Sequence, residues 1–219
     1  MGEVFFPVAA SGRVRRVFGF VDWQRYHAFG GLHPGVDLAA ASGAPVYAAA
    51  KGEVVTARGG LVVLAHEGWW SVYRGVQPPL PKKGQAVKAG GVIGSVGGRE
   101  YLHFEVRVRA SAIPAEAVGV RAIWTEGVWA VDPLRWLALQ MPAPKYCGGV
   151  TSFPGVRVRV GPDVHSEQIG FLPQGTPAEG MEQLWAPNGE VWMRLRGVPE
   201  MWIPLRLGVD DVEVRPCDG

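Results

Sequence analysis

Apolar and polar side chains alternate along this chain in short runs, each closed by glycine. The clearest run is Tyr101-Leu102-His103-Phe104-Glu105-Val106-Arg107-Val108, with Leu102, Phe104, Val106 and Val108 on one face and Tyr101, His103, Glu105 and Arg107 on the other. It predicts a strand that packs one face on a core and turns the other toward something polar. Residues 45–48, 53–56, 61–64 and 70–73 predict further strands. Gly52, Gly59-Gly60 and Gly68 fall between them, where turns need residues that tolerate positive φ. After Val108 the pattern weakens into a connector. Asp132-Pro133-Leu134-Arg135-Trp136-Leu137-Ala138-Leu139 then predicts a short helix, with Asp132 as N-cap and Pro133 at its first position. Met141-Pro142-Ala143-Pro144 stops it, and a new series of short strands begins at Cys147. The pattern predicts a mostly β chain with one domain over residues 1–141, a linker over 142–146 and a second domain over 147–219.

Composition supports this reading. Apolar residues make up 47% of the 219 and charged residues 19%, enough for real cores and against general disorder. The 31 glycines and 18 prolines favour short strands joined by turns. A net charge of +2 is too small to imply nucleic acid, and the alternating arginines at 107–109 and 157–159 are what half-exposed strands produce. No apolar run approaches the ~18 residues of a membrane span. The first residues, Met-Gly-Glu-Val-Phe-Phe-Pro, lack the basic and apolar regions of a signal peptide, which leaves a cytoplasmic protein or a mature form. Cys147 and Cys217 bracket the second domain. As a disulfide they would clamp its ends and imply an oxidising compartment; two free thiols are the other reading.

Candidate chemistry lies in His33-Pro34-Gly35-Val36-Asp37 and on the polar face of the 101–108 strand. Pro34 and Gly35 argue against a helix, but a turn entering a strand can aim His33 and Asp37 at one point. With His103 they form two imidazoles and a carboxylate, the zinc-ligand pattern that leaves a fourth position open. Glu105 and Arg107 are either partners behind these ligands or solvated side chains. His66 sits at a turn, in a structural or exposed role. Tyr26 and His27 lie near His33 with no fixed direction, and Trp69 and Trp70 either wall a cleft or pack.

The run from Gly31 through His33-Pro34-Gly35-Val36-Asp37 to Ala49 resembles the first metal motif of the LytM/lysostaphin-type (M23) zinc endopeptidases. Val87-Lys88-Ala89-Gly90-Gly91-Val92-Ile93-Gly94, Leu102-His103-Phe104-Glu105 and Asp132-Pro133 resemble later parts of that family, in the same order, over roughly residues 5–140. The resemblance implies a compact antiparallel β domain that acts on the peptides of peptidoglycan, with His33, Asp37 and His103 as zinc ligands. Two departures accompany it. The family's second motif is His-x-His, and its first histidine is here Tyr101. A further catalytic histidine normally closes a Tyr-x-His pattern, and here Tyr73-Arg74-Gly75 leaves glycine in its place. Losing one positioned acid or base typically removes ~10²–10⁴ in rate. Tyr101 either donates a hydrogen bond near the metal or fills space left by the histidine.

Residues 156–162, 168–176, 192–196 and 201–204 resemble the strands of bacterial SH3-like (SH3b) domains, small β-barrels that bind wall peptides or neighbouring proteins. Together the two resemblances imply an extracytoplasmic, cell-envelope protein. With the two departures, the resemblance leads to the expectation of a zinc-binding but catalytically impaired protein that acts in wall binding or in regulating another cell-wall hydrolase. An active divergent zinc endopeptidase using Tyr101 is the alternative, and a metal-free adaptor a third.

Overall fold

The computed structural model describes residues 4–8, 14–109, 122–125, 128–141, 144–186, 189–197, 200–207 and 211–217. The chain divides into two compact units, Met1–Gln140 and Met141–Gly219. In the first, the strands are β1 (Val14–Arg16), β2 (Val36–Ala39), β3 (Pro45–Tyr47), β4 (Gly52–Arg58), β5 (Leu61–Ala65) and β6 (Trp69–Arg74). They continue as β7 (Val76–Gln77), β8 (Ala86–Val87), β9 (Val92–Val96), β10 (Tyr101–Val108), β11 (Ala122–Thr125) and β12 (Val128–Val131), and helix α1 (Pro133–Gln140) closes the unit.

β10 is the hub. One nine-stranded sheet runs β1-β2-β10-β6-β5-β4-β8, with β12 also paired to β10 and β11 to β12. The expected alternation along β10 holds on the core side, where Leu102, Phe104, Val106 and Val108 are fully buried. Burying such a side chain contributes ~1.5–3 kcal/mol. Tyr73 packs against Phe104 with ring centroids 5.2 Å apart. Its hydroxyl accepts the Ala49 N–H at 2.7 Å, and burial pushes its pKa up to about 12. A second sheet, β3-β9-β7, completes the unit. The α1 cap is the one expected: Asp132 Oδ1 accepts the Leu134 N–H at 3.0 Å.

The antiparallel register of β10 positions the site. Across β2, His103 lies opposite Asp37; across β6, the same residue lies opposite Arg74. A one-residue slip would send both polar side chains into the core.

The second unit is also antiparallel. Its strands are β13 (Tyr146–Val150), β14 (Gly155–Arg159), β15 (Gln168–Pro173), β16 (Pro177–Trp185), β17 (Val191–Leu195), β18 (Trp202–Arg206) and β19 (Val212–Pro216). They form one seven-stranded sheet in the order β15-β14-β18-β17-β16-β13-β19. Its core gathers Val156, Val158, Met193, Ile203 and Val212, and Trp192 is fully buried. Cys147 and Cys217 are joined as a disulfide across a separation of 70 residues, with Cα atoms 5.0 Å apart. Of the expected linker, Pro142 and Ala143 lie outside the described residues. No helix among the described residues is long and apolar enough to cross a membrane.

Candidate metal centre

Three polar side chains converge where the β2 entry turn meets β10. His33 Nε2 and Asp37 Oδ1 lie 3.2 Å apart, His103 Nδ1 and Asp37 Oδ1 2.8 Å, and His33 Nε2 and His103 Nδ1 3.0 Å. His33 and Asp37 are buried, and His103 keeps 13% of its side chain exposed. Gly35 makes the turn possible: a Cβ there would overlap the Phe104 carbonyl oxygen and come within 2.9 Å of Glu105 Cγ.

Hydrogen bonds at the far side of each ring fix which nitrogen faces inward. His33 Nδ1 lies 2.9 Å from the Val17 carbonyl, which can only accept. His103 Nε2 lies 3.0 Å from Glu105 Oε1, a carboxylate that also only accepts when ionised. Each outer nitrogen therefore carries the proton, and the lone pairs of His33 Nε2 and His103 Nδ1 point toward Asp37 Oδ1. Three acceptors within 3.2 Å of one another repel unless a cation or an added proton lies among them. The donor set is that of a three-ligand zinc site, and its spacing is close to the roughly 3.3 Å between ligands of a tetrahedral zinc. The residues present fit that metal.

A shell of charge surrounds the cluster. Glu105, for which the sequence left a partner behind the ligands and a solvated side chain both open, is fully buried and accepts from Arg74 Nε at 3.2 Å and from Arg107 Nη2 at 2.7 Å as well as from His103. Burial alone would raise the Glu105 pKa; His103 and Arg107 outweigh it and hold the carboxyl at about 2. Asp37 is likewise held well below the usual carboxylate range: burial alone would raise it, but a proton added among the three groups and shared with His103 and His33 outweighs burial. For His103 burial lowers the pKa, but hydrogen bonds to Asp37 and Glu105 prevail and raise it. Arg107 thus acts through Glu105, one step behind the ligand.

Arg16 and Tyr26 belong to the site although sequence reasoning passed over Arg16 and gave Tyr26 no direction. Arg16 donates to Asp37 Oδ2 at 3.0 Å and to the Tyr26 hydroxyl at 2.9 Å. This engages the Asp37 oxygen that faces away from the imidazoles. No local pattern marks Arg16; it arrives through the pairing of β1 with β2.

A cleft of about 360 Å³ opens over the cluster. Asp37, His103 and Glu105 line it, and so do Tyr101 and Gly75. Gly75 has φ +88°, and a Cβ there would lie 3.3 Å from the Tyr101 carbonyl. Arg15 stacks its guanidinium over the Tyr101 ring at 5.4 Å. His66 takes no part. It bridges the Lys51 carbonyl and Ser71 Oγ, each at 2.7 Å, and stacks on Trp69, which packs in turn against Trp136.

Residues 31–115 match the profile of Peptidase family M23. The chain is 33% identical over 131 residues to the lipoprotein YgeR of Escherichia coli (strain K12), covering 55% of this chain and 45% of that one. It is 38% identical over 94 residues to the peptidoglycan DD-endopeptidase ShyB of Vibrio cholerae, covering 38% of this chain and 22% of that one. It thus spans less than half the length of these relatives. A zinc-containing peptidase from Vibrio cholerae, solved by crystallography, is 30% identical with a TM-score of 0.41, over 48% of this chain and 37% of that one. The M23 match takes in His33, Asp37 and His103 together with Gly75 and Tyr101, so the cluster and these two cleft residues lie inside the part of the chain that is similar to an M23 peptidase domain.

Proposed function

We propose that this chain is a peptidoglycan-associated, M23-like protein that holds zinc at His33, Asp37 and His103 but is catalytically impaired, serving wall binding or the regulation of another cell-wall hydrolase. One observation carries the reading: Gly75 and Tyr101, which by the motif resemblance fall where the family has its two non-ligand histidines, both line the cleft beside Asp37 and His103. His33 Nε2, Asp37 Oδ1 and His103 Nδ1 would hold the ion. Bound zinc supplies a water acidified toward pH 7 and a Lewis acid for a carbonyl. The chain offers little to move the proton of that chemistry. His103, the one histidine among the described cleft residues, is committed to Asp37 and Glu105. A phenol such as Tyr101 is a poor base at neutral pH.

The complete ligand set favours a second reading, an active zinc endopeptidase in which Tyr101 donates a hydrogen bond to the oxyanion. Release of free amines from purified peptidoglycan, with zinc and with or without chelator, separates the two. Release abolished by chelator and by His103→Ala establishes the enzyme. No release from zinc-loaded protein that still sediments with sacculi establishes the impaired form. Zinc-free protein with unaltered binding after His33→Ala would mean an adaptor instead.

The remaining parts of the proposal follow from the same setting. Residues 1–141 form the M23-like domain, 142–146 the linker, and 147–219 an SH3-like domain that docks wall peptides or a partner hydrolase. The support for the last is its row of short antiparallel strands with Trp192 and Trp202 buried. The relatives named as a lipoprotein and a peptidoglycan endopeptidase, with the Cys147–Cys217 bridge, favour an extracytoplasmic location.

A further inference from the structure

The cleft over the cluster is more basic than a metal centre requires. Four arginines line it (Arg16, Arg25, Arg74 and Arg99) against two carboxylates, Asp37 and Glu105. A divalent cation at the cluster adds to that excess of positive charge. Two of the four are already committed, Arg16 to Asp37 and Arg74 to Glu105. Arg25 and Arg99 are exposed and make no ion pair among the described residues.

The backbone under Arg99 is held in place. The Arg99 and Glu100 carbonyls accept from Arg15 Nη1 at 3.4 and 3.5 Å, the guanidinium that stacks on Tyr101. Arg25 follows a turn closed by Asp22, whose Oδ1 accepts the Arg25 N–H at 3.0 Å. Two guanidiniums on anchored turns, at one cleft and with no carboxylate bridged to either among the described residues, suit a planar anion, since the guanidinium fork matches a carboxylate with two parallel hydrogen bonds, and the Tyr26 side chain that bonds Arg25 helps to hold it at the cleft. The cleft volume of about 360 Å³ lies in the range of small-ligand sites and admits a short peptide end.

We propose that this cleft is a carboxylate receptor: Arg25 and Arg99 take the C-terminal carboxylate of a peptidoglycan stem peptide, whose last residues lie over the His33–Asp37–His103 cluster. The inference rests on the peptidoglycan reading above and adds to it the part of the peptide recognised. A free chain end, rather than a cross-link, becomes the preferred ligand. Affinity falls as salt screens the arginines.

The test uses the zinc-loaded full chain and diacetyl-L-lysyl-D-alanyl-D-alanine, whose one charge is its C-terminal carboxylate, beside the same peptide as its C-terminal amide. Calorimetric titration is expected to show the amide bound at least tenfold more weakly. Arg25→Gln with Arg99→Gln is expected to weaken the acid to the level of the amide, with amide binding by the double variant reporting an intact cleft. Equal binding of acid and amide, an acid affinity indifferent to the double substitution, or no binding of the acid by protein that still sediments with sacculi each overturns the carboxylate receptor while the peptidoglycan reading stands. Failure to bind either peptide or sacculi overturns both.

Discussion

Glu105 accepts the Nε2–H of His103 at 3.0 Å, and that contact decides which nitrogen of His103 faces Asp37. The two residues are neighbours on the same face of β10, two positions apart, so the strand supplies both a ligand and the group that orients it. Losing a partner of this kind typically costs ~10–100-fold in metal affinity. Glu105→Gln keeps an acceptor for His103 but removes the charge that Arg74 and Arg107 share. The expected outcome is a zinc dissociation constant raised about 10-fold or more, with His33→Ala raising it further. Competition against a chromogenic chelator measures both. Unchanged zinc affinity in Glu105→Gln would mean that the ring is oriented by β10 packing alone.

On the proposed reading, positions 75 and 101 differ in how easily each could take a histidine. Tyr101 is an ordinary strand residue, and Tyr101→His gives up chiefly the Arg15 stacking contact, ~0.5–1 kcal/mol at an exposed site. Gly75 sits at φ +88° with the Tyr101 carbonyl 3.3 Å from where a Cβ would stand. Gly75→His therefore costs on the order of 1–3 kcal/mol before any catalytic gain. Tyr101→His is expected to raise amine release from peptidoglycan at near-native thermal stability. Gly75→His alone is expected to lower the melting temperature without raising release. A stable, active Gly75→His protein would show that the backbone there relaxes freely.

The disulfide ties β13 to β19, strands that already pair, with the Cys217 N–H donating to the Lys145 carbonyl at 3.1 Å. Its contribution is then mainly to the unfolded chain. For a separation of 70 residues the loop-closure model gives about 4 kcal/mol. Reductant, or Cys147→Ser with Cys217→Ser, should lower the unfolding midpoint of the second unit and leave that of the first in place. Differential scanning calorimetry with and without reductant resolves the two. Equal midpoints would mean that β13 pairing suffices.

What the sequence made legible was local. Alternation marked β10 and its two faces, glycines marked the turns between β4, β5 and β6, and Asp132-Pro133 marked the start of α1. The cluster was legible for the same reason, since His33 and Asp37 lie in one turn and His103 on the most regular strand. Arg16 was not legible, because its contact with Asp37 spans 21 residues and depends on β1 finding β2. Glu105 was half legible: alternation placed it on the polar face, but its burial follows from Arg74 and Arg107 closing over it from β6 and β10. Trp69 could be read as a cleft wall or as packing; tertiary placement against His66 and Trp136 decided for packing.

His66 gives the pH dependence that is independent of any metal. Burial lowers its pKa below 6.5, only partly opposed by the Lys51 carbonyl, so the folded protein holds the ring neutral. Its Nδ1–H donates to Lys51, which leaves Nε2 to accept from Ser71 Oγ at 2.7 Å, and a second ring proton would break that acceptance. The unfolded chain binds the proton more readily than the folded one. The His66 contribution to stability is therefore complete above pH 6.5 and is lost progressively as pH falls from there through the lower folded-state value. His66→Gln removes this titration, so the stability difference between wild type and variant should shrink as pH falls from 7.5 to 5. Urea unfolding across that range measures the difference directly. A constant difference would place the folded-state pKa of His66 at its unfolded value and remove burial as the cause.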